Sequence, residues 1–452
     1  MVTQVRIAPA YQLNRRIPMK FDDIGLLVPD ILLPKASTDM SQWAVVACDQ
    51  YSSQPEYWQE VYEQIHNKAS TGHVIFPEAW LHQGKDNEII TGIRSSMQEY
   101  LQQGVLQEHP ASLLRCERTL RNGKVRRGVM VALDLEHYSY EAGTETLIRA
   151  TEGTIVNRLP PRIKIREQAP LEFPHIMVLI DDPQASVVEP LFAQVAEPAY
   201  DFELMQNSGH IRGDIIQDES IIRDFADNLS QLASTDTFTQ KYGASAEQKP
   251  LLYAMGDGNH SFATAKAIWE TMKAEQGFEA VAEHPARYAL VELVNLYDTS
   301  LEFEAIHRVV FDIDAEKLLT AFLDHYREQQ AEIRSTESVI KPGAQVIPFA
   351  LHGKAGELII NKPQHQLAAG TLQLFIDHYL TQHSQASVDY IHGEDTTREL
   401  GTRTGNIGFL LPAINKSELF KTVIFDGALP RKTFSMGDAE DKRFYLEGRK
   451  IN

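Results

Sequence analysis

Asp257-Gly258-Asn259-His260-Ser261 gathers a carboxylate, an amide, an imidazole and a hydroxyl around one glycine. The apolar run Leu251-Leu252-Tyr253-Ala254-Met255 before it is long enough for one buried strand. Behind it, Phe262-Ala263-Thr264-Ala265-Lys266-Ala267-Ile268-Trp269-Glu270 predicts a helix from about Ser261, with Gly256 and Gly258 breaking the run between. Such a helix start leaves amides without carbonyl partners and points the positive end of its dipole at the turn, which favours an anion. The chemistry this pattern predicts is phosphate handling. His260 and Asn259 would meet phosphate oxygens, Asp257 would take Mg²⁺ or an acceptor hydroxyl, and Gly258 and Ser261 would complete the cradle. Each residue alone also has a plain reading, because Asn and Ser cap helices and Gly supplies turn dihedrals. A cap, however, needs no histidine beside it.

Other residues could join this centre. Asp49 ends a predicted buried strand, Trp43-Ala44-Val45-Val46-Ala47-Cys48, as a ligand, a base or a turn residue. In the polar stretch 148–158, Arg149, Glu152, Thr154 and Arg158 could reach a phosphate, a metal or a hydroxyl, or form a routine ion-paired loop. The basic run Arg158-Leu159-Pro160-Pro161-Arg162-Ile163-Lys164-Ile165-Arg166 reads either as a solvated strand face near a Pro-Pro turn or as a patch for a small phosphorylated ligand. His307-Arg308 interrupts the apolar run 303–311, and buried polar groups need partners from the protein or from a ligand. His392 and Glu394 follow a predicted strand at 388–391. Asp49, Glu152 and Glu394 are the candidate bases.

The elements that must position these residues read as mixed α/β. Helices are expected at 56–65, 88–107, 220–232, from 315, and at 367–381. Strands are expected at 175–180, 287–296, 303–311, 345–351 and 357–360, with 407–411 and 419–424 completing an α/β tail. A hairpin at 113–120 and 125–135 turns on Asn122-Gly123. At 452 residues the chain exceeds the size at which one core usually stops growing, which predicts two domains. Residues 20–300 would form the first and 301–452 a C-terminal α/β domain.

Composition narrows the function classes. The net charge of −19, from 43 basic against 62 acidic residues, repels nucleic acid and anionic membrane, so neither is expected as a partner. No apolar run reaches the about 18 residues a membrane helix needs, and residues 1–20 do not resemble a secretory signal. Cys48 and Cys116 stand far apart, which excludes cysteine-based zinc and makes a reducing cytoplasm the default expectation. No P-loop, dinucleotide fingerprint, His-Glu-x-x-His or Gly-x-Ser-x-Gly occurs. Nothing here reads out an oligomeric state.

Ala-Met-Gly-Asp-Gly-Asn-His-Ser-x-Ala-Thr-Ala, then Ile-His-Arg-Val-Val and Tyr-Ile-His-Gly-Glu-Asp, resembles the bacterial domain-of-unknown-function family 1015 over about 28–434. A further likeness concerns Asp257-Gly258-Asn259-His260-Ser261 alone. It looks like the Asp-Gly-His-His-Arg signature of the ParB/sulfiredoxin-like fold, where the motif binds nucleotide phosphates and one group of members phosphorylates free serine with ADP. Asp257, Gly258 and His260 match that pattern, Asn259 replaces its first histidine and Ser261 its arginine. The resemblance implies a ParB/sulfiredoxin-like core at 20–300, ADP or ATP with Mg²⁺ as cofactors, and transfer involving a small serine-like hydroxylated metabolite. A hydroxyl does not mimic the planar fork of arginine, so Arg149, Arg158 or His307-Arg308 would have to supply the cation. Two rivals stand beside this phosphotransferase. One is a non-catalytic nucleotide-responsive module; the other is a metal-dependent hydrolase built on His260, Asp257, His307 and His392.

Overall fold

Tyr288–Asn295 is buried at every position and runs through the middle of the larger of the two main sheets, which mixes parallel and antiparallel pairs. The computed structural model describes residues 18–452 except 82, 142, 155–158, 195, 335–339 and 431. Edge to edge, the larger sheet runs Tyr200–Glu203, His210–Ile216, Leu113–Thr119, Val125–Asp134, Tyr288–Asn295, Met177–Ile180, Tyr253–Asp257, Ile148–Arg149 and Tyr138–Ser139. The strands before Tyr288–Asn295 in that order pair antiparallel. Tyr288–Asn295 and Met177–Ile180 run parallel, and Tyr253–Asp257 returns antiparallel beside the latter. The Asn122-Gly123 hairpin forms as the sequence predicts, with Gly123 at φ +80°.

Alternation along the strands builds a core on each face. Val129, Val131, Leu133, Val291 and Leu293 face one side with Phe262 and Trp269 of the helix Asn259–Gln276 and Phe225 of the helix Glu219–Leu232. Met130, Leu290, Leu114 and Cys116 face the other, against Trp43, Trp58 and the C-terminal Phe444 and Leu446. The second sheet orders Ala331–Arg334, Lys354–Ile360, Gln345–Leu351, Ile407–Phe409, Phe303–Phe311 and Ser387–His392. Helices Ala315–His325 and Ala368–Gln382 bury Phe322 and Phe375 in its core. The class is therefore mixed α/β.

The chain passes from one sheet to the other between Asn295 and Phe303, and then its end comes back. Phe434–Met436 extends Phe303–Ala305, but Phe444–Tyr445 pairs with Val45–Val46 and Arg449–Lys450 with Leu171–Glu172. Leu446 O accepts the Trp43 indole N–H at 2.9 Å. Buried Arg443 reaches Glu292 of the central strand at 2.6 Å and also pairs with Glu447. Two-residue strands carry no periodicity, so this return was not visible at the sequence level.

Several local expectations are corrected. Residues 43–48 are not one strand: Asp39 accepts from Ser41 N and caps a short helix Met40–Trp43, and only Val45–Val46 pairs. The basic run is not a strand face but the helix Leu159–Arg166, whose Pro160 and Pro161 fall at its start, where proline costs no hydrogen bond. The helix after Gly258 begins at Asn259, two residues before the predicted start. Residues 419–424, expected only as part of an α/β tail, lie in the helix Lys416–Phe425, which fits that expectation. His210–Ile216 went unread because its Asp214 looks solvated, yet it is buried and paired with Arg115 at 3.0 Å.

Candidate functional site

The strand Tyr253–Asp257 ends at a cavity of about 660 Å³. Gly258 makes the turn at φ +77°, a left-handed conformation in which a Cβ would stand 3.0 Å from both Cα and Cγ1 of Ile176. Glycine takes this dihedral without strain, and a side chain here would press on Ile176. Asp257 Oδ1 accepts from Gly258 N at 2.8 Å, and Phe262 N reaches Gly258 O at 3.0 Å to close the first helical turn. No side chain caps this helix. Gly256 to Ser261 all line the cavity, so the uncapped start of an eighteen-residue helix borders it. The Asn259 amide oxygen is out of solvent and, among the described residues, accepts from nothing, a buried acceptor that calls for a partner.

Several other segments form the walls, those of Glu78 and Glu152 among them. The turn after Val45–Val46 contributes Cys48 and Asp49, the helix Leu159–Arg166 contributes Arg162, and the C-terminal segment contributes Phe434, Met436 and Lys442. His175, ahead of Met177–Ile180, lines it too. Lys442 Nζ donates to Met436 O at 3.0 Å and lies 3.6 Å from Asp257 Oδ2. Arg162 pairs with Glu78. Carboxylates at Asp49, Glu78, Glu152 and Asp257 thus outnumber the cations of Lys442 and Arg162 among the described lining residues. A polyphosphate entering here meets that acidity unless a cation comes with it.

His175 is held from both ring nitrogens. Nε2 lies 3.4 Å from Ser261 Oγ, and Nδ1 lies 2.8 Å from the Tyr445 hydroxyl. Cys48 N–H donates to the Tyr445 oxygen at 3.3 Å. Burial works against ionisation of Asp49, but the His175 ring, the Gln50 amide at 3.0 Å and Lys442 outweigh it and hold the carboxyl below the usual aspartate value. Cys48 is no ready nucleophile, because burial, reinforced by Asp49, pushes its thiol up to about 12.

The structure brings together Asp49, Glu152, Asp257, Gly258, Asn259, His260 and Ser261 around one cavity. It places the expected cations elsewhere. Arg149 does not line the cavity; its buried guanidinium donates to Thr146 O at 2.9 Å and Lys249 O at 2.7 Å, tying down an edge of the sheet. Arg158 lies outside the described residues. His307 and Arg308 sit in the second sheet, where His307 Nδ1 accepts from Leu411 N at 3.0 Å and Arg308 donates to Gln373 Oε1 at 2.8 Å. His392 ends the neighbouring strand, and Glu394 pairs with Arg398 at 2.6 Å on the following helix. None of these four lines the cavity. The four-residue set for a metal hydrolase is therefore split between the two sheets. Among the described residues no group of three His, Cys, Asp or Glu side chains could hold a metal ion. Mg²⁺ commonly needs fewer protein ligands when phosphate supplies the rest.

Lys442, His175 and Tyr445 were not singled out from the sequence. Arg162 was visible only as part of the basic run. Among the described residues no helix is long and apolar enough to cross a membrane.

No curated protein matches this chain. Solved structures similar to it include a conserved hypothetical protein from Pyrococcus furiosus, with TM-score 0.33 and 11% identity over 72% of this chain and 95% of that one. A free serine kinase in complex with AMP gives TM-score 0.36 and 9% identity, covering 72% of this chain and 91% of its own. SbnI with C-terminal truncation from Staphylococcus aureus gives 0.34 and 11%, covering 68% and 82%. The family described as protein of unknown function, DUF1015, matches residues 32–387, and the chain belongs to that family.

Proposed function

We propose that the chain is a nucleotide-dependent phosphotransferase acting on a small hydroxylated metabolite at the cavity below Gly258. The observation that carries this reading is the uncapped helix start at Asn259, reached through a left-handed glycine and opening on a cavity with Lys442 and Arg162 in its walls. The ligand class, ADP or ATP, follows from the likeness of Asp257-Gly258-x-His260 to a nucleotide-phosphate motif. Lys442 and Arg162 supply the positive charge that Ser261 lacks.

Phosphoryl transfer asks the protein mainly for positioning and charge neutralisation. First-turn amides and His260 would hold phosphate oxygens. Asp49, kept ionised, would accept the proton of the acceptor hydroxyl as that oxygen bonds to phosphorus and the bond to the donor's bridging oxygen breaks; Glu152 is the other candidate. Asp257 would hold Mg²⁺, which supplies charge neutralisation when bound. The division into a 20–300 phosphate-binding core, ParB/sulfiredoxin-like in kind, and a 301–452 α/β domain belongs to the same proposal, with the C-terminal return serving the first.

Incubation with ADP or ATP, Mg²⁺ and hydroxylated metabolites, followed by phosphorus NMR, tests it. The expected result is a new phosphomonoester signal that His260→Ala removes. Nucleotide binding without any product would instead favour a nucleotide-responsive module.

A further inference from the structure

A second cavity, of about 140 Å³, opens beside the polar one and shares its rim at Cys48, Glu78, Arg162, His175 and Ser261. Phe76, Met97, Ile165, Ala169, Phe173 and Ile176 make it apolar. Ser261 and Thr264 both border it, three residues apart on one face of the helix Asn259–Gln276. The apolar space thus runs back along the side of the helix whose start borders the polar cavity.

Polar side chains around this space are spent within the protein. Thr264 Oγ1 donates to His260 O at 2.7 Å, the Tyr445 hydroxyl meets His175 Nδ1 at 2.8 Å, and Glu172 accepts from Arg449 at 2.8 Å while pairing with Arg166. Recognition here therefore goes by shape and desolvation, which suits a hydrocarbon group better than the hydrogen-bonding edge of a nucleobase. An apolar cavity of roughly 150 Å³ takes up benzene, which sets the scale of the occupant.

We propose that the small-molecule ligand of this site is amphipathic. Its phosphate, or phosphate-accepting, end lies at the helix start, and a compact apolar arm about the size of a phenyl ring fills the neighbouring cavity. This rests on the anion-binding reading above and replaces a serine-like metabolite with one carrying an aromatic or branched aliphatic group.

The probes are inorganic phosphate and phenyl phosphate, titrated calorimetrically into the full chain. Phenyl phosphate is expected to bind at least about tenfold more tightly, from the apolar area its ring buries. Ile165→Trp, which fills the cavity, should erase that gain and leave the inorganic phosphate affinity unchanged. Ala169→Leu gives the same reading if the first variant does not fold. Equal affinities in the wild type overturn the proposal while the phosphate site stands. A gain that survives the filling also overturns it, because the ring then sits elsewhere. If neither probe binds, the anion site fails and the amphipathic ligand falls with it.

Discussion

His260 and the pair His307-Arg308 announce themselves in the same way, as polar side chains set beside apolar runs, yet the fold gives them different settings. Arg308 is fully buried, bonded to Gln373 and to Ile306 O at 2.7 Å, and stacked 4.4 Å over the Tyr390 ring. His307 takes the Leu411 amide, and burial pushes its pKa below the usual histidine value. These groups are answered from inside the second sheet. Around Gly258 the helix start has no side-chain cap among the described residues and borders a cavity, and the buried Asn259 oxygen has no described donor. A polar residue in an apolar run thus marks a demand for partners, and only the fold says whether protein or ligand meets it.

Substitutions can break that contrast. Arg308→Ala should have the largest effect, about 3 kcal/mol of lost stability, because it orphans Gln373 Oε1 and Ile306 O and removes the stack on Tyr390. It should leave nucleotide affinity unchanged; a loss of affinity with intact melting would move the site to the second sheet. Gly258→Ala should reverse the pattern. A left-handed dihedral costs a non-glycine residue about 1–2 kcal/mol, and the shift that relieves the contact with Ile176 misplaces the turn, so binding should fall roughly 100-fold. Retained affinity in calorimetry would mean that the turn geometry is incidental.

Smaller effects sharpen the comparison. His260→Ala should weaken nucleotide binding by roughly 10–100-fold, the value of a hydrogen bond to a charged group, with little change in Tm. Equal losses of folding and binding would make it a structural histidine. Lys442→Met should cost several-fold in affinity and raise the Asp49 pKa, since Lys442 is one of the groups that lower it. A carboxyl with a lowered folded pKa contributes stability above its unfolded value, about 3.9, and loses it as pH falls through the folded value. Carbonyl NMR titration should therefore place the Asp49 midpoint below 3.9 in the wild type and higher in the variant. An unchanged midpoint would remove Lys442 from the electrostatics of the site.

How much of this could be read in the sequence depends on the range of the determinants. The strand, glycine turn and helix around 253–276 are local, and they were legible down to the residues that line the cavity. Long strands such as Tyr288–Asn295 and Phe303–Phe311 were legible through their apolar runs. The cations were not. Lys442 reaches Asp257 across 185 positions of sequence, through a C-terminal segment whose two-residue strands give no periodic signal. Arg149 looked available because nothing local reveals that Thr146 O and Lys249 O, the latter a hundred residues on, would occupy its guanidinium. His175 was read only as the start of a strand, since the Tyr445 hydroxyl that orients its ring comes from the same C-terminal return.

The central claim is that the exposed amides at the start of the helix Asn259–Gln276 hold a phosphate. Amide-resolved NMR of the full chain during titration with ADP and Mg²⁺ tests it at the atoms concerned. Saturable shifts centred on Asn259, His260 and Ser261, which Gly258→Ala abolishes, are the predicted result. Saturable binding that leaves those three amides unmoved would contradict it.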